Sequence, residues 1–233
     1  MEFGQIVAPT IKELFVERIE GMIFSGTLAP GDRLPSERDL AEQMKISKTI
    51  VHLGLEDLAR MGFIEVVPRK GTFVADFAET GNLETLNAIL RYNGGKLDRA
   101  MVVSIIELRD AIEGGALRRL GREHTDADMA ELRAIMEEFN YSIQRPHEPS
   151  DVSAALARFH YKICTLSGNR LFPLIMNAFR GVGSVLWDSS VKFWGERTLL
   201  DQGMKIINMI FLGQGDEAAA YLSSLFAHYL DNT

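Results

Sequence analysis

Residues 28–74 read LAPGDRLPSERDLAEQMKISKTIVHLGLEDLARMGFIEVVPRKGTFV, and the order of turns, caps and β-rich runs in this stretch decides the fold. Pro30-Gly31 is a turn signal. Ser36 can open a helix with Asp39, three residues on, as its capping-box partner, and Leu40, Ala41 and Met44 supply that helix with an apolar face. Ser47 can cap the next helix, which runs to about Met61 with Val51, Leu55 and Leu58 facing inward; Gly62 suits its C-terminal stop. Phe63 to Val67 and Thr72 to Val74 are β-rich, and Pro68-Arg69-Lys70-Gly71 between them makes a hairpin turn. Upstream, Ile11, Leu14, Phe15, Ile19, Met22 and Ile23 recur at helical spacing, which predicts a helix over 10–25 with one apolar stripe. Three helices followed by a Gly-bearing hairpin are the parts of a winged helix-turn-helix, with the hairpin as the wing.

Composition sets the outer bounds. The chain has 233 residues, 46% hydrophobic and 24% charged, an ordinary soluble composition with length for two small domains. No apolar run approaches the roughly 18 residues expected of a membrane helix. Met1-Glu2-Phe3-Gly4-Gln5 lacks the basic start and apolar core of a secretory signal. The single cysteine, Cys164, excludes an internal disulfide, and a cytoplasmic setting is expected. The formal charge of -7 does not exclude a nucleic-acid partner, because phosphate contacts depend on local charge. Arg33, Arg38, Lys45, Lys48, Arg69 and Lys70 all fall around the helix-turn-helix.

In a helix-turn-helix the second helix enters the major groove with its N-terminal residues toward the base edges. Ser47, Lys48, Thr49 and His52 occupy the first turns of that helix and offer hydroxyl, ammonium and imidazole groups to phosphates or bases. Arg38, on the preceding helix, is placed to reach the backbone or a guanine. Arg69, Lys70, Gly71 and Thr72 stand at the wing, where a glycine lets the backbone come close to a minor groove. Residues 11–75 resemble the GntR family of bacterial transcription regulators. The likeness rests on Pro30-Gly31, Leu34-Pro35-Ser36-Glu37-Arg38, Leu40-Ala41, Ser47 and Gly71-Thr72-Phe73-Val74. It departs from the family at Lys48 and His52, where arginine is usual. Arginine makes bidentate contacts with guanine that lysine and histidine make less well, so the operator need not be that of relatives.

After Val74 the pattern changes. Residues 76–82 form a polar connection, and from Leu83 onward helical periodicity predominates. Helices are expected over 83–92, 98–122, 125–144, 152–167, 169–193, 196–212 and 216–230. Their breaks fall at Gly94-Gly95, Glu123-His124, the two-proline stretch 145–150, Gly168 and 213–215. The expected fold is mainly α: a winged helix-turn-helix with a small β-wing over 1–75, a linker over 76–82, and an all-helical bundle over 83–233.

The bundle resembles the FCD effector domains attached to many GntR regulators, closest to the FadR-like subgroup, whose best-known members bind acyl-CoA. The matching pieces are Glu107-Leu108-Arg109 with Glu113, Phe159-His160, Ser167-Gly168-Asn169, Leu174-Ile175-Met176-Asn177 and His228. Many such domains hold a divalent metal on one Asp and three His. Here His160 and His228 match two of these positions, whereas Leu156 and about Lys205 stand where the Asp and the middle His would be. No metal and no cofactor are therefore expected, and a metal-responsive regulator is the lesser reading, beside an effector-free DNA-binding protein. Arg109 lies on an otherwise apolar helix. Its partner is either an anionic ligand, with His160, Asn177 and His228 nearby, or Glu113 four residues away. Phe159, Phe172, Phe179, Trp187 and Trp194 either line an acyl tunnel or are plain core.

The resemblance implies a homodimeric repressor of transcription. It would bind a palindromic operator in double-stranded DNA and answer to a small-molecule effector, anionic in kind, with no membrane association. No nucleophile elbow, phosphate loop, dinucleotide fingerprint or HExxH motif is present, so no enzyme is expected. His160 and Cys164, four apart on one helix, are a nucleophilic pair or a coincidence in an apolar stripe.

Overall fold

The computed structural model describes residues 8–93 and 96–233, with the side chains of residues 181, 182 and 184 outside the description. The chain divides into two compact units, Met1–Gly95 and Lys96–Thr233. The Gly94-Gly95 break and the N-terminal segment lie outside the described residues.

In the first unit, α1 spans Ile11–Phe24 and is opened by a Thr10–Glu13 capping box. Its buried face is Phe15, Val16, Ile19, Glu20 and Ile23, while Ile11 and Leu14 are half exposed. The stripe is thus turned from the expected one, because Val16 and Glu20 lie inside. Buried Glu20 meets Arg91 Nη2 at 3.5 Å. Helix α2 (Glu37–Met44) is capped by Ser36, whose hydroxyl accepts from Asp39 N–H; the Asp39 carboxylate takes the Ser36 O–H rather than closing the box on the backbone. Helix α3 (Lys48–Arg60) is capped by Ser47 and ends before Gly62, which adopts φ 76°. Strands β1 (Ile64–Val67) and β2 (Gly71–Val74) pair antiparallel, with Ile64 opposite Val74 and Val67 opposite Gly71. Residues 31–34 add a third edge: Leu34 N–H donates to Thr72 O, Gly31 N–H to Val74 O, and Val74 N–H to Asp32 O.

A short helix α4 (Phe77–Thr80) occupies the connection expected to be a linker. Helix α5 (Leu83–Tyr92), expected to open the bundle, packs on the first unit instead. Ala88 enters that unit's core, and the Thr85 hydroxyl donates to the Met61 carbonyl at the end of α3. Such packing satisfies a helix-end carbonyl that would otherwise be orphaned.

The second unit is a bundle of α6 (Arg99–Arg122), α7 (Asp126–Ile143), α8 (Pro149–Leu166), α9 (Phe172–Ala178), α10 (Arg180–Trp194), α11 (Glu196–Phe211) and α12 (Gly215–Asn232). Leu117, Leu120, Leu132, Phe139, Phe159, Ile163, Ile207 and Ile210 form its fully buried centre. Helix α8 starts three residues earlier than expected, because Pro149 takes the first helical turn, where its missing N–H costs nothing. The helix expected over 169–193 is two helices. The Asn169 side chain accepts from Leu171 N–H ahead of α9, Pro173 sits in the first turn of α9, and Phe179 (φ −87°, ψ 9°) separates α9 from α10.

Candidate functional site

The first candidate site is the exposed start of α3 with the wing. The Ser47 hydroxyl accepts from Ile50 N–H at 3.2 Å, so it holds the helix end and keeps its proton and one lone pair to offer outward. Lys48, Thr49 and His52 are exposed on the following turns, and Arg38 is exposed on α2. One residue at this surface was not foreseen as part of the site. Glu37, at the first turn of α2, accepts from His52 Nδ1 at 2.8 Å and lies 3.7 Å from Lys48 Nζ. Glu56 stands 3.5 Å from the other ring nitrogen of His52. Hydrogen bonding to Glu37, then its charge and that of Glu56, raise the His52 imidazole above its ordinary 6.5. No local spacing reveals this group, since Glu37 and His52 are fifteen residues apart on different helices.

At the wing tip Arg69 adopts φ 66° and Gly71 φ 123°. The backbone at Gly71 favours glycine, and a Cβ there would come within 2.9 Å of Arg33 Nε, so the exposed Arg33 side chain would have to move aside. Arg33, Arg69 and Lys70 are exposed around this tip, and Thr72 is half buried with its carbonyl tied to Leu34. The wing is therefore fixed at its base and cationic at its end.

The second candidate site lies in the helical bundle. Glu113 on α6 is fully buried and holds Arg109 Nε at 2.7 Å with one oxygen and His160 Nδ1 at 2.5 Å with the other. Burial by itself drives the Glu113 carboxyl up. Arg109, and then His160, more than offset this and hold it at about 2, so the group is a carboxylate. Of the two readings of Arg109, the internal ion pair is the one present. The guanidinium stacks 3.8 Å over the Trp187 ring and 4.9 Å from Phe226, and His160 lies 4.8 Å from the same Trp187. Arg109 Nη2 is buried and, among the described residues, has no hydrogen-bond partner.

Two cavities share Arg109 and Trp187. One, of about 50 Å³, is also lined by His160, Leu156 and Trp194. The other, of about 430 Å³, is lined by α6, α8, α9 and α10. Of the four residues expected to meet an effector, Arg109 and His160 converge. Asn177 is exposed on α9 and His228 is exposed on α12 beside the Trp194 ring, and neither lines either of these two cavities. Phe159 and Trp194 line the small cavity and Phe179 the large one, while Phe172 packs on the core without lining either.

The residues do not fit a metal. Leu156 is apolar, the Lys205 ammonium sits over Tyr221, His228 faces outward, and His160 Nδ1 is engaged by Glu113. Among the described residues no three His, Cys, Asp or Glu side chains gather as a ligand set. His160 likewise pairs with Glu113 and not with Cys164, whose buried thiol is pushed far up and stays protonated.

Residues 12–74 match the bacterial regulatory proteins of the gntR family, and residues 104–228, over half of the chain, match the FCD domain. Over 213 residues the chain is 26% identical to the HTH-type transcriptional regulator LutR of Bacillus subtilis, covering 89% of this chain and 92% of that one. It is 28% identical over 170 residues to the fatty acid metabolism regulator protein of Erwinia tasmaniensis, covering 71% and 66%. Among solved structures, the one titled for Lar, which controls the agr system of Listeria monocytogenes, superposes with a TM-score of 0.59 at 16% identity, covering 97% of each chain. No helix of the described residues is long and apolar enough to cross a membrane. The winged reading head and the helical bundle are thus those of a transcriptional regulator, not an enzyme, and the chain belongs to the GntR family with an FCD effector-binding domain.

Proposed function

We propose that the protein represses transcription as a cytoplasmic homodimer that binds a palindromic operator, and that a small organic effector in the helical bundle sets its affinity for that operator. The observation that carries the DNA half is the exposed first turn of α3, with Lys48, Thr49 and His52 beside Arg38 and a cationic wing. Two copies related by a two-fold axis would place two such helices about one duplex turn, roughly 34 Å, apart. Arg38 and Lys48 contact phosphates or guanine, His52 reads a base edge, and Arg69, Lys70, Gly71 and Thr72 approach the minor groove. The effector half rests on the Arg109–Glu113–His160 cluster, which sets two charges and an unsatisfied donor against the only tryptophan shared by two cavities. Effector binding there biases the placement of the two reading heads and so couples the sites.

The test is selection of an operator from random duplexes, followed by gel shift with and without organic acids, acyl esters and their thioesters. Retention of one palindromic sequence, weakened by one ligand class, is expected. Binding that shows no sequence preference, or that no ligand alters, would contradict the proposal.

A further inference from the structure

The Glu37 carboxylate constrains His52 in a way that bears on which base it reads. His52 Nδ1 lies 2.8 Å from one Glu37 oxygen. A carboxylate accepts hydrogen bonds and does not donate them, so the ring holds a proton on Nδ1. The neutral ring has a single N–H, and Glu37 thereby fixes which nitrogen carries it. Nε2 is then a bare acceptor. When the ring is charged, Nε2 carries a proton as well and becomes a donor. One proton thus reverses the hydrogen-bonding sense of one exposed atom.

The charged groups facing the ring are Glu37 from α2 and, on α3 itself, Glu56 and Lys48. Glu56 stands 3.5 Å from Nε2, a looser contact than the one Glu37 makes, so the neutral ring keeps its proton on Nδ1. The Glu56 side chain is exposed and can swing aside when a base edge approaches. Lys48 Nζ lies 3.7 Å from the other Glu37 oxygen and is exposed, so it can leave for a phosphate without taking the carboxylate from His52. Hydrogen bonding to Glu37, then the charges of Glu37 and Glu56, favour the charged ring, and nearby phosphates would act in the same direction.

In the major groove guanine shows two acceptors, N7 and O6, whereas cytosine shows only the N4 amino donor. Resting on the reading-head proposal above, we infer that Glu37 is a specificity-determining residue: by holding Nδ1–H it makes His52 read guanine when the ring is charged, and an amino group, on cytosine N4 or adenine N6, when the ring is neutral. Operator preference at one base pair of each half-site then follows pH. A carboxylate in the first turn of α2 also suits the helix dipole, but that role alone leaves base preference independent of pH.

Operators are selected from random duplexes with the full chain at about pH 6 and about pH 8.5, on either side of the ordinary histidine value. His52→Ala, selected in parallel, marks the base pair that His52 reads as the position where preference relaxes. Duplexes with guanine or cytosine at that position are then titrated by anisotropy at both pH values. The guanine-to-cytosine affinity ratio is expected to fall by at least about tenfold from the lower pH to the higher. In Glu37→Gln the amide can accept or donate, either tautomer is allowed, and the fall should shrink to less than about threefold. Ser36, not the Glu37 side chain, caps α2, so this variant should keep its fold, which circular dichroism checks. A ratio unchanged with pH in the unsubstituted protein, a fall that survives in full in Glu37→Gln, or no position relaxed by His52→Ala would each overturn the inference. The first and last of these need no Glu37 variant, so a poorly folding Glu37→Gln does not protect the idea. All three leave the reading head standing if one sequence is still selected. Selection of no sequence at either pH would sink the reading head, and this inference with it.

Discussion

Replacing Glu113 by leucine should be among the most damaging single changes in the helical bundle. The side chain is fully buried and is the described partner of both Arg109 and His160. Two routes give the magnitude. A carboxyl held at about 2 against an ordinary 4.5 is a gap of about 2.5 pH units, which at about 1.36 kcal/mol each is about 3 kcal/mol. Removing one partner of a buried ion pair, and so leaving Arg109 as an uncompensated buried charge, costs about 3–5 kcal/mol. At roughly 3 °C per kcal/mol for a domain of this size, the melting temperature of the bundle should fall by about 10 °C or more. The double variant Glu113→Leu/Arg109→Met removes both charges and should recover most of the loss, because an apolar pair of similar volume is tolerated. Thermal and urea unfolding, followed by circular dichroism, measure both variants. The pH dependence has a definite sign. Since Glu113 is held below its ordinary value, its contribution is complete above about pH 4.5 and is lost as the pH falls toward about 2. The single variant should lack that part of the acid limb. A single variant within about 1 kcal/mol of the unsubstituted protein, or a double variant as unstable as the single, would refute the buried-pair reasoning.

Three further outcomes follow from the geometry. Operator affinity should rise as the pH is lowered from about 9 to about 6, because Glu37 and Glu56 raise His52 above its ordinary value and its proton adds a cation at the reading head; anisotropy titrations should find this dependence flattened in His52→Ala. Gly71→Ala should weaken operator binding and destabilise the wing by about 1–3 kcal/mol, since the new Cβ meets φ 123° and the Arg33 side chain; binding isotherms and melting curves for an unchanged protein would count against that role. Cys164 should react with a thiol reagent only as the bundle unfolds, as its buried position and raised thiol require; rapid labelling of the native protein would contradict this.

Local chemistry made the reading head legible. Ser36 and Ser47 each cap the helix that follows, Gly62 closes α3, and Gly71 sits at a hairpin position with a positive φ, because caps and turns depend on neighbours in sequence. What escaped was set by distant packing. Residues 31–34 join the wing through backbone bonds to Thr72 and Val74 that no local pattern announces. Helix α5 reads as any amphipathic helix, and only its contacts with Met61 and the core place it on the first unit. The cavity was half legible. Leu156 and Lys205 announced the missing metal donors by residue type, and Glu113 was visible four residues from Arg109. Asn177 and His228 were carried over with their motifs, yet their helix faces point outward. Glu37 gave no sign of its place beside Lys48 and His52, since nothing in a single helix relates them.

The central claim is that the start of α3 reads DNA. Its most direct test is the salt dependence of operator affinity for the unsubstituted protein and for Lys48→Ala, measured by anisotropy on the selected duplex. Lys48 is exposed and 3.7 Å from Glu37, so its removal should leave the fold intact. The account predicts weaker binding and a log–log salt slope shallower by about one per contacted phosphate in the variant. An unchanged affinity and slope in Lys48→Ala, with the fold preserved, would contradict it.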